Sequence, residues 1–132
     1  MSSNTAIVAE KPSVARDIAR VVGATARGDG YLHGGGYVVT WAIGHLVHLA
    51  EPHEMRPEWK SWRRDALPML PREWPLVVYD KTSDQFEVVR KILCSPKIDA
   101  VVCATDAGRE GELIFRYIYE KTGCSKPVRR LW

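Results

Sequence analysis

Two stretches of this chain follow the same order: a short apolar run, an acid, then an amphipathic helix. "TAIVAE" (5–10) is rich in branched residues and closes on Glu10, after which Pro12 and Ser13 open "SVARDIARVVG". "DAVVCATD" (99–106) closes on Asp106 and passes through "AGRE" into "GELIFRYIYEKTG". Runs of this kind read as buried parallel strands, and strands that alternate with helices pair in parallel through crossovers. The order predicts an open, mainly parallel α/β sheet with helices on both faces. It also predicts the place of a ligand, because in such sheets sites lie outside the carboxyl ends of the strands. Glu10 and Asp106 both fall there, and they share one crevice if their strands are neighbours.

In the first helix Val14, Ile18, Val21 and Val22 recur at helical spacing, with Ser13 placed to cap the first turn and Gly23 to stop the last. "GYLHGGGYVVTWAIGHL" reads as a hairpin, two strand-like pieces around glycines 34–36. Residues 51–75 break the regularity. They are proline-rich and set Trp59, Trp62 and Trp74 among Arg56, Lys60, Arg63, Arg64 and Arg72, as an irregular excursion pinned by aromatics. "PLVVYD" is then a strand, and "SDQFEVVRKILC" a helix with Phe86, Val89, Ile92 and Leu93 on one face. The last helix, Glu110 to Lys121, places Leu113, Ile114, Tyr117 and Ile118 on one face and stops at Gly123. "PVRRLW" begins a further strand. At 132 residues, all of this makes one domain, residues 1–132.

A hydrophobic fraction of 45% and a charged fraction of 27% suit a globular protein, and no apolar stretch approaches the roughly 18 residues of a membrane span. The opening "MSSNTAIVAEK" lacks a signal-peptide core. Cys94, Cys103 and Cys124 are odd in number and far apart, with no zinc-type spacing, so reduced thiols in a cytoplasmic protein are expected, and no membrane partner. A net charge of +3 permits a nucleic-acid partner without requiring one. The chain finishes on Leu131 and Trp132, large apolar residues for a terminus, and this reads as a fragment of a longer protein.

Glu110 follows four residues after Asp106, so three carboxylates, Glu10, Asp106 and Glu110, are expected to converge with Lys11 and Arg109 beside them. Ala107 and Gly108 let the backbone turn tightly between the acids. Such carboxylates repel unless a cation holds them. Magnesium suits the set, because it takes one or two carboxylates, keeps several waters and completes its shell with a substrate phosphate. Lys11 offers that phosphate a point charge and Arg109 a fork, so the residue types point to phosphodiester chemistry. Blander readings stand beside these. Glu10, Asp106 and Glu110 could each cap a helix, Arg109 could be solvated or ion-paired, and His45 and His48 on "GHLVHL" could be core or surface histidines.

The remaining motifs are weaker. Gly28-x-Gly30 meets His33 where a dinucleotide fingerprint needs its third glycine, and no Walker-type Gly-Lys-Ser or Gly-Lys-Thr occurs. The tryptophans of the excursion read as packing anchors in preference to base-stacking platforms, since irregular segments need such anchors.

"AEKPSVARDIA", "GYVVTWAIGHLVHLAEP" and "ATDAGREGELIFR" resemble, in order and spacing, the N-terminal Toprim domain of bacterial topoisomerase III, a type IA DNA topoisomerase. "LPMLPREWPL" and "VRRLW" resemble the connecting segments of the same family. The resemblance implies a Toprim fold. It implies that Glu10 is the general acid/base near the scissile phosphate, Lys11 its cationic neighbour, and Asp106 with Glu110, beside Glu10, the Mg2+ site. Arg109, His45 and Glu112 become the DNA-contacting candidates: Arg109 contacts DNA or braces the acids, His45 lines the site, and Glu112 is the nearest spare acid. The wider Toprim pattern is Asp-x-Asp-x-Glu, and Gly108 stands in place of its second aspartate, which puts a two-metal arrangement in doubt. The family cleaves, passes and reseals single DNA strands with a tyrosine. Tyr31, Tyr37, Tyr79, Tyr117 and Tyr119 match no such motif, so the nucleophile is expected from the remaining domains of the same topoisomerase. DNA, through single-stranded segments, and those domains are the implied partners, and the fragment alone is expected to be inactive. Alternatives are a Toprim module of a primase or nuclease, and a non-catalytic module that binds magnesium or nucleic acid.

Overall fold

The computed structural model describes residues 4–132; the first three residues of the opening stretch lie outside that range. Strand β1 (Asn4–Ala9) leads into helix α1 (Pro12–Val22), and short β2 (Ala26–Arg27) precedes β3 (Tyr31–Gly34) and β4 (Tyr37–Trp41). β5 (Val47–Leu49), the single-turn α2 (Pro52–Met55) and β6 (Leu76–Val78) bracket the excursion, and α3 (Ser83–Leu93), β7 (Ile98–Ala104), α4 (Arg109–Thr122) and β8 (Val128–Arg130) complete the chain. The main sheet runs β2-β3-β4-β1-β7-β8. Strands β4, β1, β7 and β8 are mutually parallel, with β8 at one edge, while β2 and β3 extend the other edge in antiparallel fashion. The expected mainly parallel sheet is present. "PLVVYD" lies outside it, however, because β6 pairs antiparallel with β5 as a separate ribbon.

Alternation along β1 sorts the two cores. Ile7 and Ala9 face α1, where Ala15 and Ala19 are buried, while Ala6 and Val8 face α3 and α4, where Leu93, Phe115 and Ile118 are fully buried. Helices therefore cover both faces. Removing Leu93 or Phe115 from water contributes about 1.5–3 kcal/mol for each side chain. Small alanines on α1 let it approach the sheet closely. Val21, at helical spacing with Val14, Ile18 and Val22, is nevertheless 84% exposed, and in α4 Phe115 is buried while Leu113 is not. Ser13 does not cap α1: Lys11 holds the N-cap position with no side-chain hydrogen bond, and Pro12 opens the helix at the position where its missing N–H is harmless.

The hairpin at the glycines is as expected. Gly34 pairs with Tyr37, and Gly35 and Gly36, at φ 61° and 86°, take the two left-handed positions of a tight turn. The excursion is irregular as expected, but its aromatics do not anchor it. Trp62 is 87% exposed and Trp74 58%; Trp59 is half-buried, with the Arg56 guanidinium 5.4 Å from its ring.

Candidate active site

β1 and β7 are neighbours, with Ala9 in register with Ala104, so the chain leaves both strands at the same corner of the sheet. There the backbone N–H of Asp106 donates to Glu10 Oε1 at 3.1 Å. Glu10 therefore ties the two strand ends together and is not a helix cap. Asp106 does not cap either: the N-cap of α4 is Gly108, with no side-chain hydrogen bond there. The Asp106 carboxylate is exposed.

A third strand end contributes His45. The segment after β4 is held to β1 by the Ala42 N–H donating to the Ala9 carbonyl at 2.9 Å, and Leu46 is buried beneath it. This sets the half-buried imidazole of His45 against the exposed carboxylate of Glu110, through Nε2 and Oε1, with the Tyr117 ring 6.4 Å from it. Lys11 and Arg109 stand exposed at the starts of α1 and α4, with no ion pair among the described residues. His48, by contrast, is structural: its Nδ1 lies 2.8 Å from the Leu49 carbonyl and its ring stacks on Tyr79 at 4.2 Å.

Glu112 is engaged by cations, paired with Arg116 at 3.0 Å and with Arg130 at 3.6 Å. Arg130 is the residue that sequence reasoning missed. From β8 its guanidinium donates to the Thr105 carbonyl at 2.6 Å, to the Cys103 carbonyl at 3.2 Å and to the Asp106 carbonyl, and its side chain is only 17% exposed. It clamps the turn that carries Asp106. The available signal was weak: an arginine among apolar residues of "PVRRLW".

The glycines of "DAGREGE" divide their work differently from the expectation. Gly108 has an extended φ of −152°, which any residue adopts, and a Cβ there would meet nothing within 4 Å. A Cβ at Gly111 would lie 2.1 Å from the Asp106 carbonyl oxygen. Gly111 is therefore what lets the first turn of α4 press against the acidic turn. Gly111→Ala is expected to cost about 1–3 kcal/mol by overpacking, and Gly108→Ala less than about 1 kcal/mol, as read by urea unfolding of both variants.

The donor set at this corner is all oxygen, from Glu10, Asp106 and Glu110, and suits a hard cation. Among the described residues, no three His, Cys, Asp or Glu side chains stand together as a ready cage, so the expected three-way convergence is not preformed. Two physical reasons are visible. Glu110 turns to His45, and one Glu10 oxygen accepts the Asp106 N–H. Magnesium needs only one or two carboxylates beside waters and phosphate, so an open half-site fits it.

A family model described as the Toprim domain matches residues 5–132. The chain belongs to the Toprim domain family. This Toprim domain is 54% identical over 127 residues to DNA topoisomerase 3 of Shouchella clausii, across 96% of the chain and 17% of that protein. It is 51% identical over 130 residues to DNA topoisomerase 3 of Bacillus subtilis, across 98% of the chain and 18% of that protein, and 48% identical to a Bacillus cereus DNA topoisomerase 3. The Toprim domain thus spans under a fifth of the length of these curated relatives. Among its described residues, no helix is long and apolar enough to cross a membrane.

Proposed function

We propose that this Toprim domain supplies the acidic half of the active site of a type IA DNA topoisomerase, in which a tyrosine from another domain attacks one DNA strand. The observation that supports the reading best is the meeting of Glu10 and Asp106 at adjacent strand ends, in a chain about half identical to DNA topoisomerase 3. Glu10 holds or delivers a proton at the 3′-oxygen of the scissile phosphate, since its carboxylate stands where the strand ends converge. Lys11 and Arg109, exposed at two helix starts, attract and orient the phosphate oxygens. Asp106 and Glu110 would hold Mg2+, which when bound supplies positive charge to the phosphate. His45 positions the Glu110 carboxylate from the third strand end. Because the protein offers few ligands, the domain alone binds magnesium weakly and gains affinity when an oligonucleotide adds phosphate.

The test places this domain in the matching segment of the Bacillus subtilis DNA topoisomerase 3 and follows cleavage and resealing of a labelled single strand across a magnesium series. Asp106→Asn is expected to need at least about tenfold more magnesium and to regain much of its rate at excess metal, because mass action offsets a weakened ligand. Calorimetric titration of the domain with magnesium gives a second readout. Unchanged magnesium dependence in Asp106→Asn, with unchanged magnesium binding by the domain, overturns the site.

A further inference from the structure

Between α1 and the β2–β3 hairpin runs a groove of about 500 Å³ whose walls include Arg16, Arg20, Arg27, Tyr31 and Trp41 and no carboxylate. Arg16 and Arg20 lie one helical turn apart. Arg20 is paired with Asp17 at 3.0 Å, whereas Arg16 and Arg27 make no ion pair among the described residues. Guanidinium groups gathered on one concave surface repel one another and focus a positive field, and a polyanion relieves the first while following the second. The aromatic rings have a place in the same groove. Trp41, in the groove wall, ends β4 in register with Ala9, the residue before Glu10, so one wall residue stands at the strand ends that carry the acidic corner. Tyr31 folds its ring over Gly28, where a Cβ would lie 2.2 Å from the ring. Glycine at 28 is what gives that ring its seat.

A positively charged track interleaved with aromatic faces is the physical arrangement that holds single-stranded nucleic acid, charge for the backbone and rings for the bases. We infer that this groove carries a single nucleic-acid strand onward from the phosphate at Glu10. The inference rests on the proposed function, and adds a path and four residues to it: Arg16, Arg27, Tyr31 and Trp41. A mononucleotide explains less, because it uses one phosphate, while the basic residues extend from Arg16 on the helix to Arg27 on β2. A protein partner explains less as well, because three guanidinium groups stand among Ala19, Ala24 and Leu32 with no carboxylate in the wall to balance them, and a polyanion answers that charge.

The experiment uses this chain and a fluorescent oligothymidylate of about 12 nucleotides, within the site sizes of single-strand binders, read by anisotropy at several salt concentrations. Arg16→Ala with Arg27→Ala is expected to weaken binding about tenfold and to reduce the magnitude of the salt slope by about 1.4, the value for two lost single-strand phosphate contacts. The paired lysine variant should keep the slope. Gly28→Val, which displaces the Tyr31 ring, should weaken binding without changing the slope, and Arg90→Ala on α3 should change neither. Both arginines of the first variant are exposed, and thermal unfolding checks that it folds like the parent. An unchanged affinity in the paired alanine variant overturns the groove, as does full competition by thymidine monophosphate at equal phosphate concentration. Because the magnesium series in the chimera reads the acidic corner separately, failure of the groove leaves that reading standing.

Discussion

Glu10→Gln in the chimera cleaves and reseals the labelled strand about 10²–10⁴-fold more slowly than the unaltered protein, while its folding and DNA binding are preserved. Folding survives for a specific reason. Among the described residues, the one side-chain hydrogen bond of Glu10 is as acceptor of the Asp106 N–H at 3.1 Å, and the amide oxygen of glutamine accepts the same bond. What glutamine cannot do is exchange a proton with the 3′-oxygen. The deficit should therefore persist at every magnesium concentration, in contrast to that of Asp106→Asn. Single-turnover rates for both variants across the magnesium series separate the two roles. Full activity of Glu10→Gln, or its recovery by metal alone, would falsify the acid/base assignment and leave Glu10 as a tie between strand ends.

Arg130→Ala destabilises the domain by about 3 kcal/mol, the largest stability effect expected at this site from a side chain outside the two cores. The substitution leaves the Thr105 carbonyl without its guanidinium donor and removes a charged donor from the Cys103 and Asp106 carbonyls. Arg130→Lys should recover less than half, since an ammonium is a point charge and lacks the planar fork that reaches several carbonyls at once. Glu112→Gln should cost less than about 1 kcal/mol, because its pairs with Arg116 and Arg130 are partly exposed and one of them is long. Urea unfolding gives the stabilities, and amide exchange across residues 104–108 shows whether the loss is local. A change in Arg130→Ala within about 0.5 kcal/mol, with unaltered exchange, would remove the clamp from the account.

The sequence made the parallel frame legible because two strands end on acids and pass directly into helices, and a period of 3.6 residues survives in α3 and α4 whatever surrounds them. The pairing of Glu10 with the Asp106 turn was readable for the same reason, since strand ends of neighbouring parallel strands share a corner. Val21 and Leu113 show the limit of periodicity. Both lie near the margin of an apolar stripe, and packing against the sheet, not spacing, decides which side of the margin is covered. Gly108 and Gly111 are indistinguishable as letters, and only the 2.1 Å approach to the Asp106 carbonyl separates them. Arg130 left almost no trace because its partners are backbone carbonyls some 25 residues earlier, and a carbonyl carries no side-chain identity. The exposure of Trp62 and Trp74 is not legible in the sequence, because an irregular segment offers no repeating geometry from which burial can be inferred.

β8 is an edge strand only three residues long, and it pairs with β7 alone. Its hold comes from that register and from bonds such as the Leu131 N–H to the Cys103 carbonyl at 3.0 Å. Tension applied to the chain at Trp132 loads this strand before it reaches either core, and an edge strand peels one bond at a time. The first interactions to part are those around Leu131 and Arg130, which brace the Asp106 turn. Mechanically, the acidic corner is fastened to a three-residue edge strand, so a pull at Trp132 reaches the Asp106 turn through Leu131 and Arg130 before it loads either core.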